Sequence, residues 1–212
     1  MTSLQKWGKS VRTTIPVMAG YLVLGAGFGI LLRTRGYGLG WALAMSAFIY
    51  AGSMQYVAID LLTGGASLLT TAVTTLLVNA RHLFYGISML ERYRAAGRYA
   101  PYLIFSLTDE TYSLVAARED LTGAECFRIS LLNQLYWVLG TALGSLAGAY
   151  LDFNTTGIDF SLTALFLTVF TEQWLETKDH APALIGLGVS IVCRLLFGAD
   201  SFLLPTMGGM LC

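Results

Sequence analysis

Apolar residues in this chain do not alternate with polar ones. They gather into long runs parted by short polar or glycine-rich stretches, at residues 15–32, 39–62, 66–90, 101–117, 129–150, 160–175 and 183–197. Runs of this length are those of membrane helices rather than of strands or half-buried surface helices. The pattern predicts an all-α polytopic membrane protein, a bundle of about seven membrane segments, formed by residues 1–212 as a single transmembrane domain. Residues 1–13, with Lys6, Trp7, Lys9 and Arg12, read as a short interfacial helix among lipid headgroups. The following run is too long and too rich in glycine for a cleaved signal peptide, so it is taken as the first span. The last apolar piece, 202–211, is interrupted by Pro205 and Gly208-Gly209 and is too short to span unaided.

Polar residues inside the runs change the picture most. The 66–90 run, read as one helix, places Thr71, Thr75, Asn79, His82 and Gly86 on one face, with Thr74, Arg81 and Tyr85 beside them. An arginine at mid-bilayer costs about 2.5–3.5 kcal/mol on insertion scales, so it needs a reason and a partner. The partner is expected in 101–117, where Asp109 and Glu110 stand mid-run and Ser106 and Ser113 share their face. Arg81 and His82 are the counter-charges, and adjacent carboxylates point about 100° apart, so only one faces Arg81 squarely and stays ionised while the other can exchange protons; Asp109 is taken as the acid of the polar cavity, with Glu110 as its alternative. In 39–62 the small residues Ala51-Gly52-Ser53 precede Gln55. A helix broken there presents an N-terminus to an anion, whereas a continuous helix has only a packing notch and a hydrogen-bonded glutamine; the pattern admits both. Gly25/Gly29 and Gly140/Gly144/Gly148, spaced by four, predict smooth helix-packing faces. Their number exceeds the evident need of one small bundle and suggests a second subunit.

Composition agrees. Of 212 residues 55% are hydrophobic and 12% charged, and mean hydropathy is +0.63, against about a quarter charged in soluble domains. Lys+Arg and Asp+Glu both number 13, so no basic excess points to nucleic acid. Cys126, Cys193 and Cys212 lack metal-ligand or disulfide spacing and read as small buried residues, so no cofactor or metal is expected. The basic N-terminus, Arg33/Arg35 and the 91–100 loop with Arg92, Arg94 and Arg98 all ask to be cytoplasmic. One simple span separates the first two, so an early segment is re-entrant or broken, or Arg33 and Arg35 violate the rule. The first and fourth segments each precede a longer polar-bearing helix, a pattern that suits inverted repeats.

Three stretches, Ala51-Gly52-Ser53-Met54-Gln55-Tyr56, Asn79-Ala80-Arg81-His82-Leu83-Phe84-Tyr85-Gly86 and Thr108-Asp109-Glu110-Thr111-Tyr112, resemble the AzlC family. Its members are large subunits of branched-chain amino acid exporters, linked to azaleucine resistance. The resemblance runs over about 15–197. It implies efflux of valine, leucine, isoleucine and methionine across a bacterial inner (plasma) membrane, with a small AzlD-type partner subunit. The C-terminus departs from the family in being short of a final span.

The function expected is secondary, proton-coupled transport, since no phosphate-binding glycine-lysine loop is present. Candidate substrate-binding residues are Gly52, Ser53, Gln55, Asn79, Arg81 and Tyr85, with Arg81 and the helix start at Gly52 or Ser53 suited to a carboxylate. Candidate proton-coupling residues are His82, Asp109 and Glu110. Three other readings stay open: a purely structural buried network, a passive channel subunit, and an intramembrane enzyme using Ser106 or Ser113 beside His82.

Overall fold

In a computed structural model, residues 2–118, 120–150 and 179–198 are described, with single positions between 160 and 175 and at 205, 206 and 209. All regular structure among them is helical. The chain divides into two compact units, Met1–Ser161 and Leu162–Cys212.

The frame of the first unit is a pair of long helices, α1 (Ser3–Thr34) and α9 (Gly123–Tyr150). α1 starts at a capping box, Thr2 with Gln5, and runs through Pro16 without stopping. The helix thus runs without a break from the expected interfacial segment into the first apolar run: the change of polarity at Thr13 and Thr14 is not a change of backbone. A Cβ on Gly25 would lie 2.9 Å from the Trp137 carbonyl oxygen, and one on Gly140 would lie 2.7 Å from that of Leu22. A Cβ on Gly144 would overlap the Ala26 backbone, and one on Gly29 the Thr141 carbonyl. These glycines let two backbones touch, which is what small residues at i, i+4 achieve between membrane helices. The packing expectation holds, but the faces close on each other within the chain and supply no argument for a second subunit.

Four shorter helices follow α1: α2 (Leu39–Phe48), α3 (Gly52–Thr63), α4 (Leu68–Val78) and α5 (Arg81–Ser88). Then come α6 (Leu90–Ala95), a 3-10 turn at Gly97–Tyr99, α7 (Ala100–Phe105) and α8 (Asp109–Ala116). Residues 39–62 are thus broken, at Tyr50-Ala51, and the broken reading of that run is the correct one. The runs 66–90 and 101–117 are not single helices either. The first unwinds at Asn79-Ala80, and the second at Ser106 to Thr108, so neither polar stripe is continuous. The 91–100 loop is itself helical, and α9 begins inside the expected loop 118–128.

A buried polar seam ties α2 and α3 to the frame. Gln55 Nε2 donates to Ser46 Oγ at 3.1 Å, and Ser46 donates to Thr141 Oγ1 at 3.0 Å. Trp137 Nε1 donates to Gln55 Oε1 at 2.9 Å. Every member has a partner, the condition under which a polar core stabilises rather than costs. A second core gathers Met89, Tyr93, Leu103, Leu107, Val115, Cys126 and Ile129. Arg92 closes it by donating to the Val115 carbonyl at 2.6 Å and to that of Arg118.

In the second unit α10 (Ala181–Phe197) has Pro182 in its first turn and ends at Gly198, whose φ of 75° favours glycine. The expected acidic loop 152–159, half of the 160–175 span, most of the 202–211 tail and Cys212 lie outside the described residues. Cys126 is buried and Cys193 partly so. Among the described residues one helix, Leu4–Thr34, is both long and apolar enough to cross a bilayer alone. α2, α4 and α10 are apolar but short, so the sevenfold count does not follow from the helices described.

Candidate functional site

Three helix starts converge in the first unit: α3 at Gly52, α5 at Arg81 and α8 at Asp109. Each break has a local cause. Tyr50 carries a φ of 43°, a left-handed value that terminates α2. Asn79 caps the end of α4. Thr108 caps the start of α8, its side chain accepting from the Thr111 amide, and Asp109 and Glu110 occupy the first turn where the helix dipole favours acids.

Arg81 holds the three starts together. Its Nε donates to Asp109 Oδ1 at 2.9 Å, and its Nη2 lies 2.9 Å from Oδ2 and donates to Ser53 Oγ at 2.7 Å. The fork of arginine meets the fork of carboxylate, the geometry expected of a strong charge-assisted pair. Both side chains remain about one-third exposed, 34% and 32%, so the pair is reachable. The expected Arg81–Asp109 partnership is present. His82 does not join it: Nδ1 rests 3.2 Å from the Asn79 carbonyl oxygen, and the ring meets Tyr85 edge-on at 5.8 Å. Tyr85 lies beside Asp109 and stacks on Tyr112 at 4.4 Å.

Glu110 turns the other way. It accepts from the Tyr21 hydroxyl at 2.6 Å, and that hydroxyl lies 2.7 Å from Thr108 Oγ1. Thr108 donates to Thr111 Oγ1 at 3.0 Å, which also accepts from Asn133 Nδ2 at 3.0 Å. The two neighbouring acids therefore have separate surroundings: Asp109 faces a cation, Glu110 a row of hydroxyls running from α1 through α8 to α9.

The remaining predicted residues divide in two. Gln55 is fully buried, and its amide is committed to Ser46 and Trp137. Gly52 is packed under Trp137, whose Cη2 would lie 3.1 Å from an added Cβ. Both secure α3. Asn79, with His82, instead lines a cavity of about 580 Å³ between the α2–α3 and α4–α5 breaks and α7, a volume within the range of small-molecule sites. Its walls are mainly apolar, with Leu83, Ile87, Ile104 and Phe105 among them. Tyr50 and Tyr93 also line it, and sequence reasoning missed both, along with Tyr21 and Thr108. A phenol inside an apolar run reads as a membrane-interface anchor; the helix-start signal of Thr108 before two acids was available.

The chain is similar to proteins of known family. The family model described as "AzlC protein" matches residues 16–151. The "Branched-chain amino acid transport protein AzlC" of Bacillus subtilis is 46% identical over 199 residues, 92% of this chain and 78% of that protein. An "Uncharacterized membrane protein" of Helicobacter pylori is 45% identical over 195 residues, 90% of this chain and 86% of its own. The "Inner membrane protein YgaZ" of Escherichia coli is 27% identical over 216 residues, 95% and 85% of the two chains. No solved structure matches. The matched stretch holds α1 from Pro16 onward, the whole of α9 and all three helix starts, and the relatives are named as membrane and inner-membrane proteins; this chain is an inner-membrane member of the AzlC family.

Proposed function

We propose that the chain is the large subunit of a two-component secondary exporter of branched-chain amino acids, driven by protons. The observation that carries the reading is the partly exposed Arg81–Asp109 pair at the meeting of three broken-helix starts. Non-helical backbone at membrane depth belongs where it lines a path, and helix starts favour anions. In the empty protein Asp109 occupies the guanidinium fork. A substrate carboxylate of the same shape competes for it, with Ser53 and the α3 start as further donors, and Tyr85 closes one side. Asp109, released from its cation, stays ionised and balances the charge of the substrate's ammonium; after the substrate has left, a proton on Asp109 takes the place of that positive charge for the return. Substrate and proton thus exclude one another at one carboxylate, which is the requirement of an antiporter. The AzlD-type partner completes the assembly and seals the lipid-facing side.

The two serines that a reading as an intramembrane enzyme would use are engaged locally and away from His82: Ser106 donates to the Tyr102 carbonyl and Ser113 to that of Glu110. A channel differs from an exchanger in showing no counterflow. In vesicles holding the chain with its co-encoded small subunit, labelled leucine is expected to exchange against unlabelled leucine and to leave faster under a pH gradient. Asp109→Asn should abolish the gradient effect and leave exchange at symmetric pH partly intact. Full gradient-driven efflux in Asp109→Asn would remove Asp109 from coupling, and flux without counterflow would make the protein a channel.

A further inference from the structure

Resting on the transport reading, we infer that the cavity between the α2–α3 and α4–α5 breaks and α7 receives the substrate's aliphatic side chain and ammonium group, with Tyr50, Asn79 and Tyr93 as the ammonium-facing residues. Of the six buried side-chain polar atoms described in the first unit that have no hydrogen-bond partner, three, the Tyr50 hydroxyl, Asn79 Oδ1 and the Tyr93 hydroxyl, belong to side chains that line this one cavity. Tyr50 and Tyr93 are 4% and 3% exposed, so solvent at an outer surface does not serve them. Buried polar groups are ordinarily paired, and several orphans around one void mark a missing occupant.

The chemistry of the orphans selects that occupant. An amide oxygen accepts and does not donate, and a phenol accepts as well as donates, so the set offers acceptors to a group rich in N–H. An ammonium has three. The walls around them are mainly apolar, as a leucine or isoleucine side chain requires; His82 and the exposed Arg94 are the other polar members of the lining. A lipid acyl chain would fit those walls but leave all three polar atoms unpaired. Gly86 lines the same cavity from α5, and a Cβ built on it meets nothing within 4 Å. A larger side chain there grows into the void without striking backbone.

The test uses the full chain, reconstituted with its co-encoded small subunit, and measures binding and efflux of leucine, of 4-methylvalerate, which lacks the amine, and of alanine. Gly86→Leu is expected to weaken leucine at least tenfold while the melting temperature holds and alanine is spared. Tyr50→Phe is expected to weaken leucine about tenfold, or about 1.4 kcal/mol, and to leave 4-methylvalerate unchanged. Wild-type leucine affinity and flux in Gly86→Leu would overturn the site while the transport reading stands. Equal losses for leucine and 4-methylvalerate in Tyr50→Phe would overturn the ammonium assignment and favour a plain apolar or lipid-filled pocket. If the unsubstituted protein neither binds nor moves leucine, the transport reading fails and this site fails with it.

Discussion

Along α1 and α9 the backbone runs unbroken for 32 and 28 residues, and the side chains shrink to glycine so that the two helices touch. Across α2–α3, α4–α5 and α7–α8 the backbone stops three times, and what stands at the stops is an arginine, two acids and a tyrosine in a left-handed conformation. The first region has no room to move; the second is held by a few polar contacts that other ligands can replace. A transporter needs both, because a moving part requires something fixed to move against. The contrast divides substitutions into those that destroy the protein and those that leave it folded and idle.

The largest effect belongs to the seam. In Gly144→Leu the new side chain begins inside the Ala26 backbone, which no rotamer change relieves. Overpacking of this kind costs about 3 kcal/mol or more. The variant is expected to lose its monodisperse peak on size-exclusion chromatography together with its thermal transition. A well-folded Gly144→Leu protein with wild-type melting would show that α1 and α9 are not the frame.

An intermediate effect is expected at the cluster. Arg81→Lys keeps a charge but cannot reach both Asp109 oxygens and Ser53 in parallel. The protein should fold, and leucine affinity should fall at least tenfold, about 1.4 kcal/mol, by equilibrium binding to purified protein. Unchanged affinity would reduce the Arg81–Asp109 pair to a strut and blur the division between the regions.

The smallest effect sharpens the comparison from within α1. Gly20 lies in the same helix as Gly25 and Gly29, but nothing approaches the place its Cβ would take. Gly20→Ala is therefore expected to stabilise by about 0.5–1 kcal/mol through helix propensity alone, a rise of about 2–4 °C per kcal/mol for a chain of this size. A marked loss of stability would mean that something packs on that face, as a second subunit would.

What the sequence made legible were features with one physical meaning. Glycines four apart in an apolar run can only allow close approach, and Arg81 in such a run had to find an acid. That one acid and not both would face Arg81 followed from the 100° between neighbours; which one did not follow, and Tyr21 decides it by engaging Glu110. The breaks at Asn79-Ala80 and Ser106 to Thr108 were missed because hydropathy is blind to whether a backbone unwinds: Ala66 to Leu90 is equally apolar as one helix or two. The cavity was illegible for a related reason. Its walls come from four elements, and an orphaned hydroxyl on Tyr50 or Tyr93 exists only once its surroundings are assembled.

At 1.5 Å per residue α1 is about 48 Å long and α9 about 42 Å, while the hydrocarbon layer of a bilayer is about 30 Å. Locked side by side, the two cannot adjust separately to this mismatch; they lean together or protrude together. One end is already pinned: Lys9 pairs with Glu125 at 3.7 Å, Arg118 donates to Thr13 at 2.9 Å and Arg128 to Ser10 at 3.4 Å, a collar of charges suited to headgroups. α1, the one described helix that is both long and apolar enough to cross by itself, is thus the ruler, with its zero at the collar, and α9 is carried with it along the glycine seam. Because Tyr21 on this ruler grips Glu110, the lean of α1 in the bilayer is handed directly to the first turn of α8, where Asp109 meets Arg81.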